Sequence, residues 1–205
     1  MYPLIETIQI WNGQAKLMDL HQQRFEQAQR ALFPQKKTIP HLVNYLNVPL
    51  EYQKGKVKCR VVYGDKVEQI TYEQYHKKPI ASLQIVHDKD IDYHLKYENR
   101  QHLHQLWQQR GDCDDVLIVK NGFVTDSYYC NVVFDDGKQL FTPNTPLLKG
   151  IQRQHLLQTN QITAIPITVN DIQRFKQVFL VNALLELGEV VVPIEKISQR
   201  YPKIK

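Results

Sequence analysis

The sequence predicts an α+β chain of two lobes, a small N-terminal lobe over residues 1–79 and a larger C-terminal lobe over residues 80–205. Three observations predict it. LIETIQI at residues 4–10 alternates apolar and polar, turns back at Asn12-Gly13 and then gives way to apolar positions at helical spacing. Lys77-Lys78-Pro79 interrupts the periodicity and marks the boundary. Beyond Val116, four short apolar runs follow one another across turn residues, the pattern of a mainly antiparallel meander or barrel-like sheet rather than of strands alternating with helices.

In chain order, residues 4–10 form a β-branched strand, and the Asn12-Gly13 turn makes a hairpin into QAKLM. Asp19, with Gln22 three residues on, has the pattern of a capping box and opens a helix over residues 20–33. Phe25, Ala28 and Leu32 form its buried stripe; Leu20, His21 and Arg24 occupy a neighbouring face, and Pro34 ends it. HLVNYLNV reads as a second short helix before a turn at Gly55. KVKCRVVYG and KVEQITYEQY pair through Gly64-Asp65, with Arg60 near the middle of the first strand.

The second lobe opens with the strand ASLQIVH. A polar, irregular stretch, DKDIDYHLKYENR, leads to a helix around HLHQLWQQR that Gly111 closes. VLIVK, GFVT, CNVVF and QLFTP are the four short strands, joined by Asn121-Gly122, the reversal at Asp126 to Tyr129, and Asp136-Gly137. A helix from Ile151, a strand QITAIPI, a short helix around NDIQRF and the strands VFLVN and VVVPI complete the lobe.

Composition narrows the function classes. A chain of 205 residues, 42% hydrophobic and 23% charged, can bury its own core. The net charge of +5 is spread along the chain, with no basic run longer than a pair, so an acidic small molecule accounts for it without nucleic acid. Cys59, Cys113 and Cys130 have no metal-like spacing and suit a reducing compartment; with no basic-then-apolar leader and no membrane-length apolar run, a cytoplasmic location is expected. No metal is expected, since His102 and His104, two apart, do not share a helix face. Cys130 has no base nearby in sequence, Ser127 lacks a nucleophile elbow, and neither a Walker A nor a dinucleotide fingerprint is present.

Residues 96–153 carry the chemistry. A lysine, Lys96, precedes an amphipathic helix, an acid, Asp126, sits in a reversal between apolar strands, and a glycine, Gly150, opens another helix. A pyridoxal phosphate enzyme needs these parts: an amine for the aldehyde, an acid for the ring nitrogen and a helix N-terminus for the phosphate. Each taken alone has a plainer explanation, as a solvated lysine, a turn aspartate or a turn glycine. Together with IETIQ at 5–9, the H-x-x-R of His21 to Arg24, the K-x-x-N-R of Lys96 to Arg100, the V-T-D of Val124 to Asp126 and the G-I-x-R of Gly150 to Arg153, their order resembles the class IV, or fold type IV, pyridoxal phosphate enzymes. Within these the chain looks nearest to the aminodeoxychorismate lyases, with branched-chain and D-amino-acid aminotransferases as relatives.

The resemblance implies a set of roles. Lys96 carries the Schiff base and Asp126 partners the pyridine nitrogen; Arg24 and the backbone amides of Ile151 and Gln152, after Gly150, hold the phosphate; the NAL stretch, with Asn182 and Ala183, approaches phosphate and substrate. It implies the cofactor pyridoxal 5'-phosphate, a small carboxylate substrate, and a homodimer with the cofactor between its two lobes. The favoured reaction is conversion of 4-amino-4-deoxychorismate to 4-aminobenzoate and pyruvate, a step of folate biosynthesis. The alternatives are a class IV aminotransferase and a non-catalytic relative. Arg60 is a candidate hook for a substrate carboxylate; a strand arginine paired with a surface acid is the other reading. The chain departs from the family at Gln9, where arginine is usual, and at Asp126, where most members have glutamate. It begins almost at the IETIQ strand, so one wall of the pocket is expected to be missing or supplied by the dimer partner.

Overall fold

The computed structural model describes residues 3–199, which divide into two units: one runs to His76 and includes Leu95–Asn99, the other comprises Lys77–His94 and the chain from Arg100 onward. The first unit is built on one antiparallel sheet. Its elements are β1 (Leu4–Trp11), β2 (Gln14–Ala15), α1 (Met18–Leu32), β3 (Lys56–Tyr63) and β4 (Val67–Gln74), in the sheet order β2-β1-β3-β4. Both residues of the first turn have positive φ, Asn12 at 48° and Gly13 at 79°, the geometry that lets a two-residue hairpin follow strand twist. β3 alternates as its sequence suggests: Val57, Cys59, Val61 and Tyr63 are buried against Ile8, Ile10, Phe25, Ala28 and Leu42. Phe25 meets Tyr63 edge to face, with ring centroids 4.7 Å apart.

Three local expectations change. The Asp19–Gln22 capping box does not form: α1 starts two residues earlier, its N-cap is Leu17 in the left-handed region, and no side chain caps it. Gln22 instead accepts from the Leu42 N–H at 2.7 Å and donates to Glu26, which ties α1 to the segment after it. That segment is not one helix but two 3-10 turns, Leu42–Tyr45 and Leu50–Tyr52, since Pro49 has no N–H to continue a helical ladder. The third change concerns Lys96, which sequence alone put in the larger lobe. Ile5 N donates to Lys96 O at 2.9 Å, Glu98 N to Pro3 O at 2.8 Å, and Leu95 and Tyr97 pack on the core of the first unit. Lys96 therefore belongs with β1.

The second unit contains β5 (Leu83–His87), α2 (Gln101–Gln108), β6 (Asp115–Lys120), β7 (Phe123–Val124), β8 (Asn131–Asp135), β9 (Leu140–Pro143), α3 (Ile151–Gln158), β10 (Thr163–Ile165), β11 (Gln177–Val181), β12 (Val191–Pro193) and β13 (Ile197–Ser198). They form two sheets, β13-β5-β6-β7 and β10-β9-β8-β11-β12. The β6–β7 and β8–β9 pairs are antiparallel, as a meander requires, but the meander is split between the sheets, and β7 and β8 are linked through the isolated bridge Asp126↔Asn131. β5 and β6 pair in parallel, as do β13 with β5 and β10 with β9. Their composition explains the pairing: Leu83–Val86 and Asp115–Val119 are buried continuously rather than on alternate residues, which suits strands covered on both faces. Among the described residues no helix is long and apolar enough to cross a membrane.

Candidate active site

In the first unit the residues of the IETIQ and H-x-x-R stretches meet at one buried carboxylate. Glu6 lies on β1 with no exposed surface. Arg24 holds it with both ends of its fork, Nε to Oε1 at 2.8 Å and Nη2 to Oε2 at 2.6 Å, and His21 Nδ1 lies 2.6 Å from Oε2. The H-x-x-R spacing accounts for this, since residues three apart on a helix share a face and both reach the same strand. Burial alone would push the Glu6 carboxyl up, but the Arg24 charge and the hydrogen bonds from His21 and Arg24 outweigh it and hold the carboxyl at about 2. Burial likewise pushes the His21 imidazole below its usual pKa; the bond to Glu6 works against this, while the charges of Arg24 and Lys96 add to it. The structure thus presents Arg24 as an oriented guanidinium with its charge balanced by Glu6, not as a loose surface cation. Arg60 is ion-paired with Glu98, Nη2 to Oε1 at 2.6 Å, with both side chains about a third exposed.

In the second unit the site is assembled around the reversal after β7. Asp126 is buried, and its two oxygens have separate donors: Asn131 Nδ2 at 2.7 Å on Oδ1 and the Leu148 N–H at 3.0 Å on Oδ2. Burial pushes the carboxyl up to about 6, opposed by those donors and by the Arg153 charge. Arg153 itself is buried and holds α3 against the end of β9, through Thr142 Oγ1 at 3.2 Å and the Pro143 carbonyl at 2.8 Å. Gly150 is the N-cap of α3, which no side chain caps, and a Cβ on it would lie 1.9 Å from Asn131 Oδ1. A larger residue fits there only if the Asn131 side chain moves. The chain then enters α3 with the amides of Ile151 and Gln152 at the positive end of its dipole.

Other residues of the motifs have definite tasks. Arg100 lies among three rings, its guanidinium carbon 5.2, 4.8 and 4.4 Å from the centroids of Tyr93, Tyr128 and Tyr129; it donates to Tyr93 OH and to the Tyr128 carbonyl and so braces the reversal. Asn182 Oδ1 accepts from the Leu184 and Leu185 amides, and its Nδ2 contacts Cys130 Sγ at 3.2 Å, so this side chain shapes the loop containing Ala183. Sequence reasoning missed Glu6, Asn131 and Asp115. Asp115 is a third buried carboxyl, pushed up to about 6 by burial against donors from Val116, Ser127 and Tyr128. The legible signal for Asn131 and Asp115 was a polar residue at the head of a mostly apolar strand; Glu6, in a strand that alternates apolar and polar, gave no such signal.

Comparison with known proteins gives the family. A family model described as amino-transferase class IV matches residues 3–197. An uncharacterised Haemophilus influenzae protein is 39% identical over 185 residues, covering 90% of this chain and 98% of that one. A crystal structure from Haemophilus somnus, described as a candidate 4-amino-4-deoxychorismate lyase, superposes with a TM-score of 0.86 at 33% identity, covering 91% of this chain and 98% of that one. A Mycobacterium tuberculosis structure described as a hypothetical aminotransferase in a pyridoxal-phosphate-bound form shares the fold, at a TM-score of 0.76 and 17% identity over 99% of this chain and 84% of that one.

Proposed function

Because this chain belongs to the class IV aminotransferase family, we propose that it is a pyridoxal phosphate enzyme that converts 4-amino-4-deoxychorismate to 4-aminobenzoate and pyruvate. The observation that carries the cofactor assignment is the Asp126 carboxyl. It is buried, it accepts from Asn131 and from the Leu147 and Leu148 amides, and a carboxylate accepts about four hydrogen bonds in all, so capacity remains for a ring N–H. The uncapped N-terminus of α3 behind a glycine suits a phosphate in the same way. The residues present therefore fit the group.

Bound pyridoxal phosphate supplies an electron sink for reactions at the substrate Cα. Lys96 would hold its aldehyde carbon and, once released, move the Cα proton as base and then acid. Asp126, ionised, would keep the ring nitrogen protonated. The amides of Ile151 and Gln152 would take the phosphate, and Arg24 would add a guanidinium whose plane Glu6 already fixes. Asn182 and Ala183 would approach phosphate and substrate through the loop that the Asn182 side chain shapes. Arg60 would serve a substrate carboxylate by exchanging Glu98 for it, and the working form would be a homodimer.

The lyase is preferred to the aminotransferase because the similarity to the Haemophilus somnus protein spans 98% of that chain, with sequence identity as well as fold. Incubation with aminodeoxychorismate and pyridoxal phosphate tests the choice. Release of 4-aminobenzoate and pyruvate is expected; no product, together with pyridoxamine phosphate formation from an ordinary amino acid, would make it an aminotransferase instead.

A further inference from the structure

Asn131 is the first residue of β8, nearly fully buried, and its side-chain contacts run in two directions. Its Nδ2 donates to Asp126 Oδ1 at 2.7 Å and to the Leu148 carbonyl at 2.8 Å. Both partners are acceptors, so the amide group facing them must be the NH2 and its orientation is fixed by chemistry. Leu148 closes the ring: its N–H donates to Asp126 Oδ2 at 3.0 Å, and its carbonyl also accepts from Gly150 N at 2.9 Å. On the other side, Asn131 Oδ1 occupies the space where Gly150 would have a Cβ. One side chain therefore touches the carboxylate, the turn before α3 and the glycine that opens α3.

We propose that Asn131 is a positioning residue that sets the Asp126 carboxylate and the N-terminus of α3 in one rigid unit, so that ring-nitrogen and phosphate anchoring are coupled. This rests on the pyridoxal phosphate reading. The network locks the carboxylate against rotation, because each oxygen is tied to a different anchor and both anchors meet at Leu148. It also fixes how far Gly150 lies from β8, because the backbone there is in contact with the amide. Removing the amide takes a donor from Asp126, which disfavours the ionised carboxylate. It also lets the turn drift. A side chain that only stapled two loops would change stability and nothing else.

The test uses the full chain with Asn131→Ala, Asn131→Asp, Gly150→Ala and the double variant Asn131→Ala/Gly150→Ala. Circular dichroism shows which variants are folded; titration of the visible band then gives cofactor affinity and the pH midpoint of that band. Asn131→Ala is expected to weaken cofactor binding about tenfold, the scale of a lost hydrogen bond to a charged group, and to move the acid-side midpoint to higher pH. Asn131→Asp, which sets a second carboxyl against Asp126, should do more. Gly150→Ala should reproduce the effect of Asn131→Ala, and the double variant should be no worse than Asn131→Ala alone, since the new Cβ fills vacated space. Folded Asn131→Ala with wild-type affinity and midpoint, or an additive double variant, overturns the proposal while leaving the cofactor reading intact. If Asn131→Ala does not fold, Gly150→Ala decides: wild-type affinity and midpoint there overturn the coupling. A wild-type chain that takes up no pyridoxal phosphate defeats the cofactor reading, and this inference with it.

Discussion

At the scale of single residues, the decisive fact is how the buried charges are partnered. Arg24, Lys96 and Asp126 could be singled out as candidates because each belongs to a motif with fixed spacing. What occupies their polar atoms was not legible, since the contact of Arg24 with Glu6 depends on a helix and a strand meeting in three dimensions. Glu6 gives a direct check. Its folded pKa of about 2 lies below the ordinary value, so its contribution to stability is present above about pH 4.5 and is lost as pH falls through about 2. Glu6→Gln leaves Arg24 and His21 without the carboxylate and should cost about 3 kcal/mol at neutral pH, and much less near pH 2, by urea titration at the two pH values. Asp126 has the opposite sign. Its folded pKa of about 6 is raised, so the stability its neutral form contributes is present below about 4 and is lost as pH rises through about 6. A cationic ring nitrogen binds the ionised form. The gain in melting temperature on adding pyridoxal phosphate should therefore grow between about pH 5 and about pH 7, and Asp126→Asn should flatten that trend.

At the scale of elements, sequence patterns identified most strands and all three helices but mislocated one cap. Asp19 and Gln22 have the right spacing for a box, yet the chain enters α1 through Leu17 at φ 52°, so Asp19 falls inside the first turn. A true box forms where none was expected, with Thr168 and Asp171 exchanging hydrogen bonds ahead of a short 3-10 helix. The difference is measurable. Thr168→Ala should cost about 1 kcal/mol, whereas Asp19→Ala should cost only the few tenths that an acid near a helix N-terminus contributes, roughly 0.3 kcal/mol, by chemical denaturation.

At the scale of the whole molecule, the chain divides into two units after His76, next to the Lys77-Lys78-Pro79 break, and the return of Leu95–Asn99 to the first unit has no local signature. That return depends on Ile5 and Pro3 pairing with Lys96 and Glu98, contacts between residues about ninety positions apart that no local pattern encodes. The parallel pairing of β5 with β6 was hidden for a similar reason, because a short buried apolar run looks the same in either sheet type. The homodimer proposal also belongs to this scale, and sedimentation at working concentration should give twice the mass of the chain; a fully active monomer would contradict it. The central claim is that Lys96 is the residue that binds pyridoxal phosphate covalently. Borohydride reduction of the cofactor-treated chain, followed by mass spectrometry of its peptides, tests this most directly: the account predicts loss of the visible band and a pyridoxyl mass on Lys96, and an adduct on another lysine, or none, would contradict it.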